Sequence, residues 1–276
     1  MNDIELFKDE LISILGKCNK ITGIGQTGDI NAPLIPGNSD VDLFVLCTSI
    51  PSKQEREEFY SNIQKVAFSL QMEVCQGGQW GYGDIMSVDG IDVMPMYFTW
   101  QEMSDYLNEI LACKHLDKDG RFYPVGRVAS VASMNVLYET DDSWTSLIQR
   151  VNRKPDEFFK TWYENEMNQV IDEEDLGRSM LRKEVLFFHQ VLENALDHWL
   201  QALYAVNYCY FPSRKRTEEA MRGFQFVPKD GYNRLNSIIV KSAKSETICE
   251  GIEELRAITK ELKELGKTIF EEEKRG

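Results

Sequence analysis

The sequence predicts an α+β fold, with a small mixed sheet and its helices in the first half and an all-α helical bundle in the second. Runs of β-branched and apolar residues alternate with helical stripes up to about residue 140, and helical spacing dominates after it. With 42% hydrophobic and 28% charged residues, the composition is that of a globular protein. A chain of 276 residues is long enough for two domains. We place them at residues 1–140 and 141–276.

The predicted sheet rests on one apolar run and one hairpin. Residues 41–47 are apolar and partly β-branched, which predicts a strand buried on both faces. Residues 84–88 and 91–98 flank Asp89-Gly90, a dipeptide that a type I′ hairpin turn favours. The other elements predicted in this half are helices over 3–15, 53–70 and 100–113, a Gly-rich turn within 21–28, and a strand over 128–138.

The second half contains no convincing strand pattern. Apolar residues recur at steps of three and four from Leu181 to Leu203 and from Thr247 to Glu273, which predicts two long helices. Loops are predicted at Pro155, Gly177, Pro212 and Gly231. These breaks divide the region into an antiparallel bundle.

The charge distribution limits the choice of partners. The formal net charge is −14, and residues 1–125 carry 9 basic and 19 acidic side chains, a net charge of −10. A polyanion along this half would be repelled, so we expect no long nucleic acid partner. A cation, or an anion accompanied by metal ions, fits better.

The sequence also favours a cytoplasmic protein without a membrane partner. No apolar run approaches the ~18 residues that a membrane span needs. The first ten residues hold five charged side chains, which is atypical of a secretion signal. The 6 cysteines form no C-x-x-C pair, so we expect reduced, mostly buried thiols. The oligomeric state stays open.

Two aspartates mark the start of the predicted buried strand. Asp40 and Asp42 are two residues apart, so strand alternation places both carboxylates on one face. Two like charges side by side in an apolar strand are costly without a cation. Mg²⁺ prefers carboxylate oxygens and keeps waters that a phosphate can replace. The alternative is a helix-cap or solvated-edge pair, which the apolar run after Asp42 disfavours.

A third carboxylate completes the candidate metal site. Asp92 begins the second hairpin strand in an apolar setting, although it could merely flank the turn. If its strand neighbours the strand of Asp40 and Asp42, the three acids could hold two metal ions about 3.5–4 Å apart. The Gly-rich turn upstream would bring backbone N–H groups close to phosphate oxygens.

Together these residues resemble the polymerase-beta-type nucleotidyltransferase superfamily. The pattern is a helix, a turn with Gly25, Ser39-Asp40-Val41-Asp42 on a strand and Asp92 on a later strand. It covers about residues 1–140 and looks closest to stand-alone bacterial members with a helical C-terminal domain, such as aminoglycoside and lincosamide nucleotidyltransferases. The resemblance implies metal binding by the three aspartates and contacts to the nucleotide from Gly25, Gln26, Thr27 and Ser39.

The resemblance also implies a reaction. Two Mg²⁺ ions would assist an acceptor hydroxyl in attacking the α-phosphate of a nucleoside triphosphate, and pyrophosphate would leave. Catalysis would consist of positioning and charge neutralisation. Most members of the family have Gly-Ser in the turn, whereas here Gln26 follows Gly25 and Thr27 could supply the hydroxyl.

The second half offers a cation and several candidate bases. Residues 210–216 place an aromatic-Pro step before Arg214, Lys215 and Arg216, and the resemblance implies that Lys215 reaches the nucleotide phosphates. The alternative is a solvated turn that complements a helix end. Candidate general bases, each alternatively a surface charge or a salt-bridge partner, are Glu184, Glu193 and Asp197.

We therefore predict a metal-dependent nucleotidyltransferase that uses a nucleoside triphosphate as co-substrate and modifies a small-molecule hydroxyl. Its site is expected in the cleft between the two domains, and the acidic first half favours a cationic acceptor such as an antibiotic. The alternative hypothesis is a catalytically degenerate member that serves as a binding or regulatory, antitoxin-like partner. The base of the nucleotide and the acceptor stay open.

Overall fold

The computed structural model describes residues 3–28 and 30–271. Contacts between residues divide the chain into two compact units, one formed by Met1–Ile110 with Ser130–Arg153 and the other by Leu111–Ala129 with Lys154–Gly276. In the described ranges, no helix combines the length and the apolar character that crossing a membrane requires.

Up to residue 153 the chain alternates between helices and strands. In order, the elements are α1 (Asp3–Leu15), β1 (Ile21–Gln26), β2 (Asp40–Cys47), α2 (Lys53–Ser61), β3 (Ser69–Gln76), β4 (Tyr82–Val88), β5 (Ile91–Thr99), α3 (Trp100–Leu111), α4 (Pro124–Ala132), β6 (Asn135–Glu139) and α5 (Ser143–Asn152). The strands form one sheet in the order β3-β4-β5-β2-β1-β6. β2 and β5 run parallel and the other neighbours antiparallel, so the sheet is mixed.

Strand β2 is buried on both faces except at its start. Val41, Leu43 and Val45 belong to the core that also contains the buried side chains of α1. On the opposite face, Phe44 packs against Trp144 of α5, with ring centroids 6.4 Å apart. Asp40 is exposed and Asp42 is half-buried, so these aspartates lie where the apolar strand meets solvent.

The second unit is helical. Its main helices are α6 (Asp156–Val170), α7 (Glu173–Arg182), α8 (Val185–Val206), α9 (Thr217–Gly223), α10 (Gly231–Ser242) and α11 (Ile248–Glu271). α6 packs along α8, and α11 packs against α6, α7, α8 and α10. Large aromatic side chains fill this core, including Phe159, Trp162 and Trp199.

The predicted α+β fold class is confirmed, and so are the first helix, the strand at 41–47 and the hairpin. Asp89 and Gly90 have φ angles of 51° and 78°, the left-handed values that a type I′ turn requires. The helix predicted over 100–113 ends at Leu111, and the one predicted over 247–273 spans Ile248–Glu271, with its last two predicted residues outside the described range.

Two predictions in the first half are wrong. The helix predicted over 53–70 ends at Ser61, and Ser69–Gln76 forms the edge strand β3. The strand predicted over 128–138 is strand only from Asn135, because residues up to Ala132 belong to helix α4. In both places the apolar residues keep one spacing across a short helix and the short strand that follows it.

Two predictions in the second half also need correction. The helix predicted from Leu181 to Leu203 is divided between α7 and α8, because Lys183 adopts a left-handed backbone with φ of 54°. Gly177 lies inside α7 rather than in a loop. Of the six thiols, all free, Cys47 alone is fully buried, so the expectation that most are buried is wrong.

Candidate active site

The strand register brings Asp40 and Asp92 side by side. They are Cα partners in the parallel pair of β2 and β5, in which neighbouring strands lie about 4.8 Å apart. Val41 and Val93, the next pair along, point into the core against α1. Alternation therefore places Asp40, Asp42 and Asp92 together on the opposite face, which we call the acidic face.

Asp40 and Asp92 have no compensating partners in the parts of the chain that the structure describes. Both are exposed, and neither side chain takes part in a hydrogen bond or an ion pair there. Opposed like charges on adjacent strands destabilise a sheet. The pair is therefore an unrelieved repulsion that a bound cation would remove.

The acidic face fits a divalent cation in its chemistry and its register. Carboxylates are the ligands that Mg²⁺ prefers. Within residues 3–28 and 30–271, however, no three or more His, Cys, Asp or Glu side chains are gathered closely enough to hold a metal ion. The strands thus align the three aspartates, while their carboxylates are not assembled into a finished metal site.

The predicted Gly-rich turn is in fact the end of strand β1. Gln26 pairs with Leu43 and therefore shares the core face with it, away from the acidic face. Its buried side chain accepts a hydrogen bond of 3.0 Å from Lys8 Nζ. Gln26, which the resemblance predicts to contact the nucleotide, therefore faces the core and not the acidic face.

Gly25 and Thr27 lie on the acidic face. Gly25 pairs with Phe44, and a Cβ added to it would approach Met134 Sδ to 2.4 Å, so close packing explains the glycine. Thr27 extends the pairing, because its N–H donates to the Asp42 carbonyl at 3.2 Å. Alternation after Gly25 places the Thr27 side chain beside Asp42. Thr27 is thus the predicted nucleotide contact with a hydroxyl on this face.

The remaining predicted contact in this unit, Ser39, closes a local turn. Its hydroxyl accepts a hydrogen bond of 2.9 Å from the Ile35 N–H. A residue that sequence reasoning missed is Ser87, the Cα partner of Asp92 on the side away from Asp40. The two-residue turn Asp89-Gly90 already fixed that pairing, so the signal was present in the sequence.

In the second unit, Asp197 is the buried centre of a half-buried polar cluster. Its carboxylate accepts hydrogen bonds from Lys118 and Tyr123, and Arg214 Nε donates to it at 2.7 Å. Burial by itself raises the pKa of Asp197, but the hydrogen bonds from Lys118 and Tyr123 and the charge of Arg214 outweigh it, and the pKa is lowered. A carboxylate with a lowered pKa is a weak base, so this environment favours the salt-bridge interpretation of Asp197.

The three cations of the predicted basic turn have different surroundings. Arg214 also donates to Glu193 Oε2 at 3.0 Å, so both are engaged in an ion pair. Arg216 immediately precedes α9 with a left-handed φ of 57°. Lys215 is exposed, and within the residues that the structure describes its ammonium group has no ion pair or hydrogen bond. Lys215 is therefore available to an anionic ligand.

Comparisons with known proteins add little to this description. No protein-family model matches the sequence, and a search of curated proteins finds no match either. Among solved structures, a nucleotidyltransferase-like protein from Exiguobacterium sibiricum is similar at 14% identity and a TM-score of 0.48, over 99% of this chain and 80% of that one. At this level the likeness supports no inference about activity.

Proposed function

We propose that this protein is a divalent-metal-dependent nucleotidyltransferase that transfers a nucleoside monophosphate from a nucleoside triphosphate to a hydroxyl of a small molecule. The observation that carries the proposal is the uncompensated pair of Asp40 and Asp92 on adjacent strands, with Asp42 on the same face. The S-D-x-D pattern and the later aspartate, which resemble the polymerase-beta-type superfamily, occur in the elements that create this face.

In this proposal the aspartates of the acidic face bind the metal ions, and other residues contact the phosphates. Asp40 and Asp42 would hold both Mg²⁺ ions, and Asp92 would hold the ion nearer the acceptor. When bound, Mg²⁺ supplies charge neutralisation for the triphosphate and acidifies the acceptor hydroxyl. Thr27 would contact a phosphate oxygen through its hydroxyl, and Lys215 would pair with the outer phosphates.

The reaction forms a bond between the acceptor oxygen and the α-phosphorus and breaks the α–β phosphoanhydride bond, so pyrophosphate leaves. The proton of the acceptor hydroxyl goes to a carboxylate. Because Asp197 has a lowered pKa and Glu193 pairs with Arg214, Glu184 is the better candidate for this base. The excess of acidic residues in 1–125 supports a cationic acceptor, such as an aminoglycoside-like antibiotic.

A catalytically degenerate binding or regulatory protein is the second candidate. It is favoured by the absence of an assembled group of metal ligands in the described residues and by the engagement of Gln26 with Lys8. Against it, the sheet holds three aspartates on one face, an arrangement that is costly without a cation.

Titration calorimetry with a panel of nucleoside triphosphates, with and without Mg²⁺, separates the two candidates. The proposal predicts binding that requires Mg²⁺ and that Asp40→Asn abolishes. The matched control is Asp89→Asn, which removes a nearby exposed carboxylate in the hairpin turn, where asparagine suits the backbone. Failure of every triphosphate to bind in Mg²⁺ would contradict the proposal and favour the degenerate alternative.

A further inference from the structure

The segment before β2 is attached to the hairpin turn before β5. The N–H of Gly37 donates a hydrogen bond of 2.7 Å to the carbonyl of Gly90. The two segments are in close contact here, because a Cβ added to Gly90 would lie 3.4 Å from Pro36 Cβ. This contact lies three residues before Asp40 and two residues before Asp92.

Ser39 closes the turn that presents Gly37. The carbonyl of Ile35 accepts hydrogen bonds from the N–H groups of Asn38 and Ser39 at 3.0 and 2.9 Å. The Ser39 hydroxyl accepts a hydrogen bond from the Ile35 N–H at 2.9 Å. Ile35 and Ser39 thus exchange two hydrogen bonds, which close residues 35–39 into a ring. We call this ring, together with the Gly37–Gly90 hydrogen bond, the clasp.

The clasp acts where the two carboxylates repel. Asp40 and Asp92 form the first pair of the β2–β5 ladder, so within this ladder a further pair, Val41 and Val93, follows on one side only. Their side chains have no partner in the described parts of the chain that could hold them. Outside the ladder, the clasp joins the segment before β2 to the turn before β5.

We propose that Ser39 is a positioning residue that acts through the clasp to fix the separation of Asp40 and Asp92 for metal binding. The inference rests on the proposed function, because it concerns the same metal site. It assigns Ser39 a role in the protein itself, in place of the direct nucleotide contact that the family resemblance implies. Removal of the hydroxyl releases the Ile35 N–H, loosens the turn and lets the two strand starts separate.

The test measures Mn²⁺ binding to the full chain by electron paramagnetic resonance, without nucleotide, in parallel with amide hydrogen exchange. In Ser39→Ala the Kd for Mn²⁺ rises by roughly three- to tenfold, the scale of one hydrogen bond, and the Gly37 amide exchanges faster. Ser39→Thr keeps the hydroxyl and restores both values. The control is Ser61→Ala, which removes another exposed hydroxyl that bonds to the backbone, at Glu58, and leaves both values unchanged.

Each other outcome overturns the inference in a recognisable way. Faster Gly37 exchange with unchanged Mn²⁺ affinity would mean that the clasp opens and the carboxylates do not depend on it. Weaker Mn²⁺ binding with unchanged exchange would mean that Ser39 contacts the metal sphere directly. Absence of Mn²⁺ binding in the unsubstituted protein would overturn the proposed metal site itself, and this inference with it.

Discussion

Asp40 and Asp92 stand beside each other at solvent-exposed strand starts, without a cation among the described residues to separate them. Each carboxylate raises the free energy of the other, so the folded protein carries a local cost that the proposed metal binding would remove. At the scale of single residues, this pair links the sheet to the proposed chemistry.

Replacing Asp92 by asparagine separates stability from function. Asp92→Asn removes one of two repelling charges, so the melting temperature of the metal-free protein rises by about 1–3 °C. Mg²⁺ then raises the melting temperature of the unsubstituted protein but not of the variant. Calorimetry with and without Mg²⁺ measures both effects. A variant that Mg²⁺ stabilises as strongly as the unsubstituted protein would exclude Asp92 from the metal site.

Lys215 provides a test of phosphate recognition. Three aspartates and a triphosphate bring about seven negative charges together, and two Mg²⁺ ions neutralise about four of them. Lys215→Ala is therefore expected to weaken triphosphate binding by roughly 1–3 kcal/mol, with little effect on the monophosphate. Titration calorimetry compares the two ligands, with Lys244→Ala as a control at another exposed lysine. Equal losses for both ligands, or none, would assign the turn to helix capping.

Asp197 predicts a pH dependence of stability. Its pKa is lower in the folded protein, so its contribution is complete above the unfolded value of about 3.9 and is lost as the pH falls below that. Asp197→Asn is expected to cost about 1–3 kcal/mol at pH 7, because Lys118 and Arg214 lose their shared carboxylate.

Urea unfolding at pH 7 and at pH 3 tests this. The cost of the substitution is smaller at pH 3, because the Asp197 carboxylate of the unfolded chain, which has the higher pKa, binds a proton there and part of the stabilisation is lost. The control variant Glu219→Gln changes an exposed carboxylate in the same unit and has little effect at either pH. A cost that does not change with pH would show that the Asp197 cluster stabilises the helices through packing alone.

At the scale of elements, strand β1 shows that close packing is itself a reason for a glycine at position 25. The sequence predicts that Gly25 lies in a phosphate-binding turn, but the structure places it in a strand, packed against Met134. Its neighbour Gln26 faces the core and bonds to Lys8. Thr27 remains the residue of this segment with a hydroxyl on the acidic face.

A double-mutant cycle tests the role of Gly25. Gly25→Ala places a methyl group against Met134 Sδ and is expected to destabilise the protein by about 1–3 kcal/mol. Met134→Ala removes the side chain that the new methyl group would meet. In the Met134→Ala background, Gly25→Ala therefore lowers the free energy of unfolding much less than it does in the unsubstituted protein. Chemical unfolding of the four proteins gives the coupling energy. Additive effects would mean that Met134 does not restrict this position.

Helices and strands are predicted correctly where a short stretch of sequence marks their ends. Asp89-Gly90 fixed the hairpin and its register, because few dipeptides suit two left-handed residues in succession. The helix predicted over 53–70 failed because helix α2 ends at Ser61 and the segment up to β3 retains apolar residues at helical spacing. Strand β3 lies at the sheet edge with its first three residues exposed, so it shows no clean alternation.

At the scale of the whole molecule, the fold class and the strand face that carries the aspartates are predictable from the sequence. The side-chain contacts between distant parts of the chain are not. The parallel pairing of β2 and β5 joins strands that are separated by a helix and two other strands, and the neighbourhood of Asp40 and Asp92 follows from it. Contacts that depend on tertiary packing were not predictable from local pattern. Examples are Lys118 on Asp197 and Lys8 on Gln26, whose partners lie far apart in the sequence.

The charge of the whole chain agrees with the proposed dependence on a cation. The net charge of −14 is concentrated before residue 126, in the part of the chain that carries the three aspartates. Such a field attracts divalent cations and opposes a free triphosphate, so nucleotide binding should depend on Mg²⁺.

The central claim is that Asp40, Asp42 and Asp92 bind divalent metal together with a nucleotide. Anomalous diffraction from crystals soaked with Mn²⁺ and a non-hydrolysable nucleoside triphosphate tests it most directly, because the Mn²⁺ position is seen independently of the surrounding density. We predict anomalous peaks between the carboxylates of Asp40, Asp42 and Asp92, at about 2.0–2.3 Å from their oxygens, with the triphosphate bridging the same ions. A bound triphosphate with no Mn²⁺ at these carboxylates, or Mn²⁺ bound elsewhere on the chain, would contradict the claim.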